Sequence, residues 1–325
     1  VSNLEPLPAE QDLPADTGTA PCAELLDGRD VPLGRHTVVR RTLPNKTRRT
    51  VGAWCFLDHF GPEDVTAGPG MRVPPHPHIG LQTVSWLFDG EIQHRDSLGS
   101  DVLVRPGQLN IMTSGHGIAH SEDSPAGKPP LLHGLQLWVA LPEEARRQPP
   151  RFEHLADLPV AEVPGLRMTV AVGSLGGATS PARVHSDLVG AELAVATRTP
   201  AEIAVDPAFE HAVVLTHGSA RVEGTDVTGG ALLYLGAGRS SLRVEGDGRL
   251  FLLGGVPFEE DLVMWWNFVA RTHEEIVAAR DEWEAARAGL GSTPERFGTV
   301  PGGQEPLPAP ALPTTRLLPR PRFRA

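Results

Sequence analysis

The sequence of 325 residues predicts an all-β fold: two antiparallel barrels in tandem, with one short helix near the C-terminus. Three observations carry this. Glycine (35) and proline (32) are abundant while aromatic residues make up only 5% of the chain, which suits many turns and short strands better than long helices. Short apolar runs recur with Gly or Pro in nearly every gap, as at Gly61-Pro62, Gly68-Pro69-Gly70, Asp89-Gly90 and Pro106-Gly107. A second series of runs in the same grammar begins near Leu166. At this length two domains is the natural expectation.

Residues 1–27 are polar, with Pro6, Pro8 and Pro14, and are expected to form a loose N-terminal arm. Residues 28–148 hold the first series: 36–40, 52–57, 82–88, 101–104, 109–112 and 131–141. Their spacing reads as an antiparallel barrel or sandwich. Residues 143–148 suit a helical turn, which Pro149 and Pro150 stop, and 149–165 is read as a linker. The second barrel occupies 166–290, with runs at 166–172, 191–197, 212–216, 220–223, 231–235, 241–245 and 250–253. It ends in the helix. Thr272-His-Glu-Glu275 is a capping box, Ile276, Ala279, Trp283 and Ala286 share one helical face, and Gly289 closes it. The tail, 291–325, carries Pro306, Pro308, Pro310 and Pro313 and is expected to be extended or partly disordered.

Charge and composition exclude several functions. A net charge of -11 argues against direct nucleic-acid binding, which needs a basic surface. No apolar stretch approaches the about 20 residues needed to cross a membrane as a helix. The first residues lack the basic and apolar regions of a signal peptide. Cys22 and Cys55 form neither a disulfide framework nor a paired thiolate site, so a reducing, cytoplasmic setting is expected. Cys55 sits in an apolar run and is read as a buried, inert thiol.

The chemistry lies in two short segments, His76-Pro77-His78 and His120-Ser121-Glu122. Alternate side chains of a strand share a face, so His76 pairs with His78 and His120 with Glu122. Pro77 and the pre-proline restriction hold His76 extended. Either segment alone reads as loop histidines or a surface glutamate. Together, separated by strands able to fold back on one another, they offer three imidazoles and a carboxylate to a first-row transition metal with open positions. Iron, zinc and nickel all accept such ligands. His94 and Asp96 share the same alternation and are candidates to support the ligands from behind. His116 is read either in that way or as solvent-exposed. His133, His211 and His217 are read as structural, and Met112, Trp86 and Trp138 as packing. Gln82 is a weak ligand, so it is either a locally hydrogen-bonded strand residue or one that orients the site. No nucleophile elbow, phosphate loop or dinucleotide fingerprint is present.

At these residues the chain resembles the pirin family of the cupin superfamily. Gly70 followed five residues later by His76-Pro-His78 matches the first cupin motif, and 76–84 resembles the pirin version of it. Thr113-Ser-Gly-His-Gly-Ile-Ala-His-Ser-Glu122 resembles the second pirin motif. Asp30-Val-Pro-Leu-Gly34, Phe56-Leu-Asp-His-Phe-Gly-Pro62, Gly254-Gly-Val-Pro-Phe-Glu259 and Met264-Trp-Trp-Asn-Phe-Val269 are similar to family sequence, and the resemblance spans about residues 28–290. It extends to the Pro-rich 307–313, which looks like a bacterial pirin C-terminus that packs.

The resemblance implies a bicupin with one metal, usually Fe(II), in the first barrel, ligated by His76, His78, His120 and Glu122, with other divalent transition metals as alternatives. Gln82 stands where many cupins carry a ligating Glu, but that position is not a pirin ligand. The family implies two functions. One is a quercetinase-type dioxygenase that opens a flavonol ring with dioxygen, with Glu122 as the residue that takes the substrate proton. The other is a redox- and metal-dependent regulator that binds a transcription factor or metabolic enzyme without turnover. A storage or structural bicupin is a third reading, disfavoured by the intact ligands.

Overall fold

The computed structural model describes residues 20–33, 37–290 and 296–323. The arm expected over 1–27 lies outside the described residues as far as residue 19. In the first half the strands are β1 (Glu24–Asp27), β2 (Arg29–Leu33), β3 (Thr37–Leu43), β4 (Trp54–Asp64), β5 (Arg72–His78), β6 (Leu81–Asp89), β7 (Ile92–Asp96), β8 (Asp101–Val104), β9 (Leu109–Thr113), β10 (Ile118–Asp123), β11 (Leu131–Ala140) and β12 (Arg151–Leu155). Then follow β13 (Val160–Val163), β14 (Leu166–Val172), β15 (Ser174–Leu175), β16 (Ala178–Thr179), β17 (Leu188–Ala204), β18 (Glu210–Val222), β19 (Thr225–Val227), β20 (Ala231–Gly236), β21 (Ser241–Gly255), β22 (Val263–Trp265), β23 (Phe268–Ala270) and α1 (His273–Arg287).

The first barrel packs a seven-stranded sheet, in the order β12-β9-β6-β11-β4-β3-β2, against a four-stranded sheet, β5-β10-β7-β8. The second is one eight-stranded sheet, β1-β20-β18-β21-β17-β14-β13 with β19 paired to β18. All the strand pairings of these sheets are antiparallel. Runs that looked separate in sequence fuse here. Residues 212–216 and 220–223 lie mostly in β18, and 241–245 and 250–253 both lie in β21. The polar residues between them are register irregularities or exposed middles of long strands rather than turns.

Two segments behave differently from their sequence reading. Glu24–Asp27, inside the expected arm, adds as β1 to β20 of the second barrel. Within 149–165, read as a linker, Arg151–Leu155 pairs with β9 of the first barrel and Val160–Val163 with β14 of the second. Each covers an otherwise open sheet edge, and this backbone pairing outweighs their polar composition.

The sheet alternation sorts side chains between layers. On β4, Phe56, Asp58 and Phe60 face the interior of the first barrel, while Cys55 and Leu57 pack in the main core between the barrels. That core joins Trp54, Leu57, Leu135 and Leu137 to Val214, Phe251 and Leu253. Trp54 Nε1 lies within 3.1 Å of Val189 O and 3.2 Å of Gly254 O, and Trp86 Nε1 donates to Glu192 Oε2 at 2.9 Å. The Cys55 thiol is fully buried and pushed up to about 12 by desolvation, in keeping with an inert role.

The helix starts at the predicted cap, with the Thr272 half of the capping box formed and Glu275 reaching one residue further back than a capping box requires. Thr272 Oγ1 accepts from Glu275 N at 3.3 Å, while Glu275 Oε2 accepts from Arg271 N at 2.9 Å. Ile276, Ala279 and Trp283 are buried on its inner face. The Pro-rich tail packs onto the body. Leu307 N donates to Pro75 O at 2.8 Å, and Trp283 Nε1 donates to Leu307 O at 2.8 Å. The tail thus covers the free edge of β5, a strand whose prolines at 74, 75 and 77 suit an edge because they donate nothing to a ladder.

Candidate metal centre

β5 and β10 lie side by side with His76 opposite His120 and Ile118 opposite His78. The register shifts between His120 and Glu122, which lies opposite Val73. The extra β5 residue falls at Pro74-Pro75, where no ladder N–H exists to be lost. Alternation on two adjacent strands therefore brings His76, His78 and His120 together, all buried, with one nitrogen of each within 4.8 Å of the others. Glu122 also joins: a carboxylate oxygen lies within 4.8 Å of nitrogens of His120 and His94, so the two groups share His120.

The hydrogen bonds fix how each ring points. His76 Nδ1 lies 2.9 Å from Pro74 O and His78 Nδ1 3.0 Å from Asn267 O. A carbonyl accepts only, so both Nδ1 atoms carry the proton and both Nε2 atoms keep their lone pairs. His120 is set by a longer chain. Asp96 Oδ2 lies 3.1 Å from His94 Nε2, and His94 Nδ1 lies 3.4 Å from His120 Nδ1. A carboxylate that accepts a hydrogen bond from Nε2–H of His94 keeps the proton on that nitrogen and leaves Nδ1 of the ring as an acceptor for His120 Nδ1–H. The lone pair of His120 Nε2 then faces His78 Nε2 at 3.0 Å. Two lone pairs at that distance repel unless a cation lies near both. Burial holds His76 down at about 3 and pushes His78 and His120 well below the ordinary imidazole range, so all three are neutral ligands near pH 7. The donor set therefore fits a divalent transition metal.

Glu122 is pushed upward by burial, with Ser85 opposing the shift. Ser85 Oγ lies 3.1 Å from Glu122 Oε1 and 2.9 Å from Gln136 Oε1. Asp96 is held below the usual carboxylate range despite burial, by hydrogen bonds from His94 and Ser100.

A cavity of about 350 Å³ opens onto these groups. Phe56, Phe60, Met71 and Trp138 form apolar walls, and Asp58 and Gln136 add polar points. Phe56 and Trp138 stack with ring centroids 4.0 Å apart. Two wall residues come from the far half of the chain. Trp266 adopts φ 52°, a left-handed conformation costing about 1–2 kcal/mol for a side chain of this kind, in the β22–β23 turn. Asn267 supplies the carbonyl that locks His78. Gly80 lets this hairpin approach: at φ 69° it passes so close to Val269 that a Cβ would meet Val269 O at 2.1 Å. Leu307 and Pro308 of the tail complete the wall.

Several residues fall outside the centre. Gln82 does not line the cavity; its Nε2 donates to Thr113 Oγ1 at 2.9 Å and Arg183 O at 3.0 Å, toward the second half of the chain. His116 is exposed. His133 is buried against His59, with Nε2 atoms 2.7 Å apart, and His211 is buried while His217 is exposed. Of the aromatic and Met residues singled out in the sequence, Trp138 lines the cavity, while Trp86 turns toward the second barrel. Ser85, Gln136 and Asn267 were not singled out, since an isolated Ser, Gln or Asn gives no periodic or spacing signal.

A family model for pirin matches residues 36–139, and one for the pirin C-terminal cupin domain matches 190–289. A Pseudomonas aeruginosa protein that bears the provisional name quercetin 2,3-dioxygenase is 43% identical over 88% of this chain and 89% of its own. A pirin-like protein of Caulobacter vibrioides is 35% identical over 82% of this chain and 94% of its own. The crystal structure of a quercetin 2,3-dioxygenase from Acinetobacter baumannii is 42% identical, with a TM-score of 0.85 over 90% of this chain and 96% of that one.

Proposed function

This chain belongs to the pirin family of two-domain cupins, and from that premise we propose that it is a dioxygenase of quercetinase type, dependent on Fe(II) and acting on a flavonol-like substrate with dioxygen. The observation that carries the reading is the convergence of three neutral imidazole Nε2 atoms beside a buried carboxylate at the end of an apolar cavity. Relatives named for the same activity support it.

His76, His78, His120 and Glu122 would hold the metal, which when bound supplies Lewis-acid and oxygen chemistry. The remaining roles belong to the chain. Phe56, Phe60 and Trp138 receive a flat aromatic body and keep water out, and about 350 Å³ is within the range of small-molecule pockets. Glu122, raised by burial, accepts the proton of the substrate hydroxyl, and Ser85 is placed to steady the carboxylate through its hydrogen bond. Asp96 and His94 hold the His120 ring in one tautomer and position it without touching substrate.

The test is direct. Protein loaded with Fe(II) in the absence of oxygen is mixed with quercetin and air-saturated buffer, and flavonol absorbance and dissolved oxygen are followed together. The reading expects both to fall in step, and neither to fall with metal-free protein or His76→Ala. Iron-loaded protein that leaves a panel of flavonols unchanged would sink it.

A further inference from the structure

A second cavity, of about 580 Å³, lies where β3, the segment after it, the β22 strand and the C-terminal tail meet. Its lining contrasts with the chain as a whole. The protein carries -11, yet Arg29, Lys46, Arg49, Arg316 and Arg320 gather here against Asp27 and Glu260. Some of that charge is answered locally: Arg316 pairs with Glu274, and Arg49 Nη1 donates to Pro321 O at 2.9 Å. Lys46 and Arg320 are exposed and have no ion-pair partner among the described residues. Leu262, Val263, Met264 and Leu317 give the same cavity an apolar side. Thr50 also lines it. Its hydroxyl is buried, at 2% exposure of the residue, and has no hydrogen-bond partner among the described residues.

Two connections run from this cavity to the metal cavity. Arg41 lines the second cavity and Asp58 lines the first, and the two form a buried bidentate pair, Nε to Oδ1 and Nη2 to Oδ2, both 2.8 Å. Met264 lines the second cavity and Trp266, two residues along the same hairpin, lines the first.

We propose that the second cavity binds an amphipathic anion, an apolar body carrying two or more carboxylate or phosphate groups, and that the Arg41–Asp58 pair couples its occupancy to the metal cavity. The cations on the rim attract the anionic groups, and the Leu and Met side takes the apolar body. An anion near the Arg41 guanidinium competes with Asp58, whose carboxylate is a buried charge that depends on that partner. Binding therefore shifts Asp58 and the cavity wall beside it. By linkage, whatever occupies the metal cavity changes anion affinity by the same factor. The proposal stands whether or not the protein turns over a flavonol.

The test is calorimetry on the full-length, metal-loaded protein at low ionic strength, with trimesate, inorganic phosphate and the neutral trimethyl ester of trimesate as probes. Trimesate is expected to bind, more tightly than phosphate, with the ester silent and added salt weakening both anions. The double variant Lys46→Glu, Arg320→Glu, both exposed and outside the metal centre, should weaken trimesate by about tenfold or more at unchanged thermal stability. Hydrogen exchange should change on trimesate binding in residues 56–60 and 264–268. No binding at millimolar trimesate, or equal binding by the double variant, overturns the site. Binding that leaves exchange in both segments unaltered overturns the coupling.

Discussion

The two barrels share a strand grammar but differ in what their strands turn inward. In the second, Met168, Val170, Leu193, Ile203, Leu242, Val244 and Leu250 fill the interior with aliphatic side chains. In the first, the equivalent space keeps three histidines, two carboxylates and a glutamine around an open cavity. Close packing is the ordinary outcome for a barrel this small, and each buried polar group has to be answered by a partner. The second barrel needs no outside help to be filled. The first takes the His78 partner, Asn267, from the hairpin that follows the second barrel, and its edge cover, Leu307, from the tail. The candidate metal centre lies in one barrel, and residues from the rest of the chain complete its wall.

Breaking the comparison at its strongest point means exchanging the two kinds of damage. His78→Ala should abolish stoichiometric metal binding, read by metal analysis after anaerobic loading, with only a modest change in melting temperature. Leu250→Ala should do the reverse. It leaves a cavity in a filled core and should cost about 2–5 kcal/mol in denaturant unfolding, with metal content intact once folded. If Leu250→Ala emptied the metal site of natively folded protein, the separation of roles between the barrels would be wrong.

A smaller effect sharpens it. Asp96 contributes no atom to the group of His76, His78 and His120, yet it fixes the proton on His94 and, through it, on His120. Asp96→Asn keeps the shape, but with its amide oxygen held by the Leu98 and Ser100 N–H groups it turns a donating NH2 toward His94, so the tautomers along the chain lose their bias. Metal affinity should fall by about 10–100-fold, measured by competition with a chelator, while His76 and His78 remain bound to their carbonyls. Affinity equal to that of the parent would show that the His94 chain has no positioning role.

The centre was legible in sequence because strands convert spacing into direction with a period of two, and His76, His78, His120 and Glu122 all obey it. His94 and Asp96 were visible by the same rule. What sequence spacing could not supply was contact between distant segments. Asn267 and Trp266 lie nearly two hundred residues from His78, and no local pattern ties a hairpin to that ring. Of the two readings of Gln82, the structure shows the hydrogen-bonded strand residue: alternation turns it to the opposite face from Ser85. Edge strands β1, β12 and β13 were hidden by their polar, half-exposed sequences, since an edge is stabilised mainly by backbone pairing and carries little apolar periodicity.

The smallest effect near neutral pH lies where the barrels meet. His59 and His133 are buried with their Nε2 atoms 2.7 Å apart, and burial holds both at about 4. For His59 the charge of His133 adds to that depression, and for His133 Asp89 partly opposes it. In the unfolded chain both would titrate near 6.5. Below that value the unfolded state takes up protons that the folded pair refuses, so the pair's contribution to stability is lost as pH drops from about 6.5 toward 4 and its loss is complete beneath that. His211, also held at about 4 by burial, adds to the same slope. Urea unfolding across this range should show the midpoint falling with acidity, and His133→Gln should flatten that fall even though it costs some stability at pH 7. A variant that kept the full slope would place the acid sensitivity in His76, His78 and His120 of the candidate metal centre, and repeating the titration on metal-loaded protein would then move it, because a bound cation opposes protonation of its own ligands.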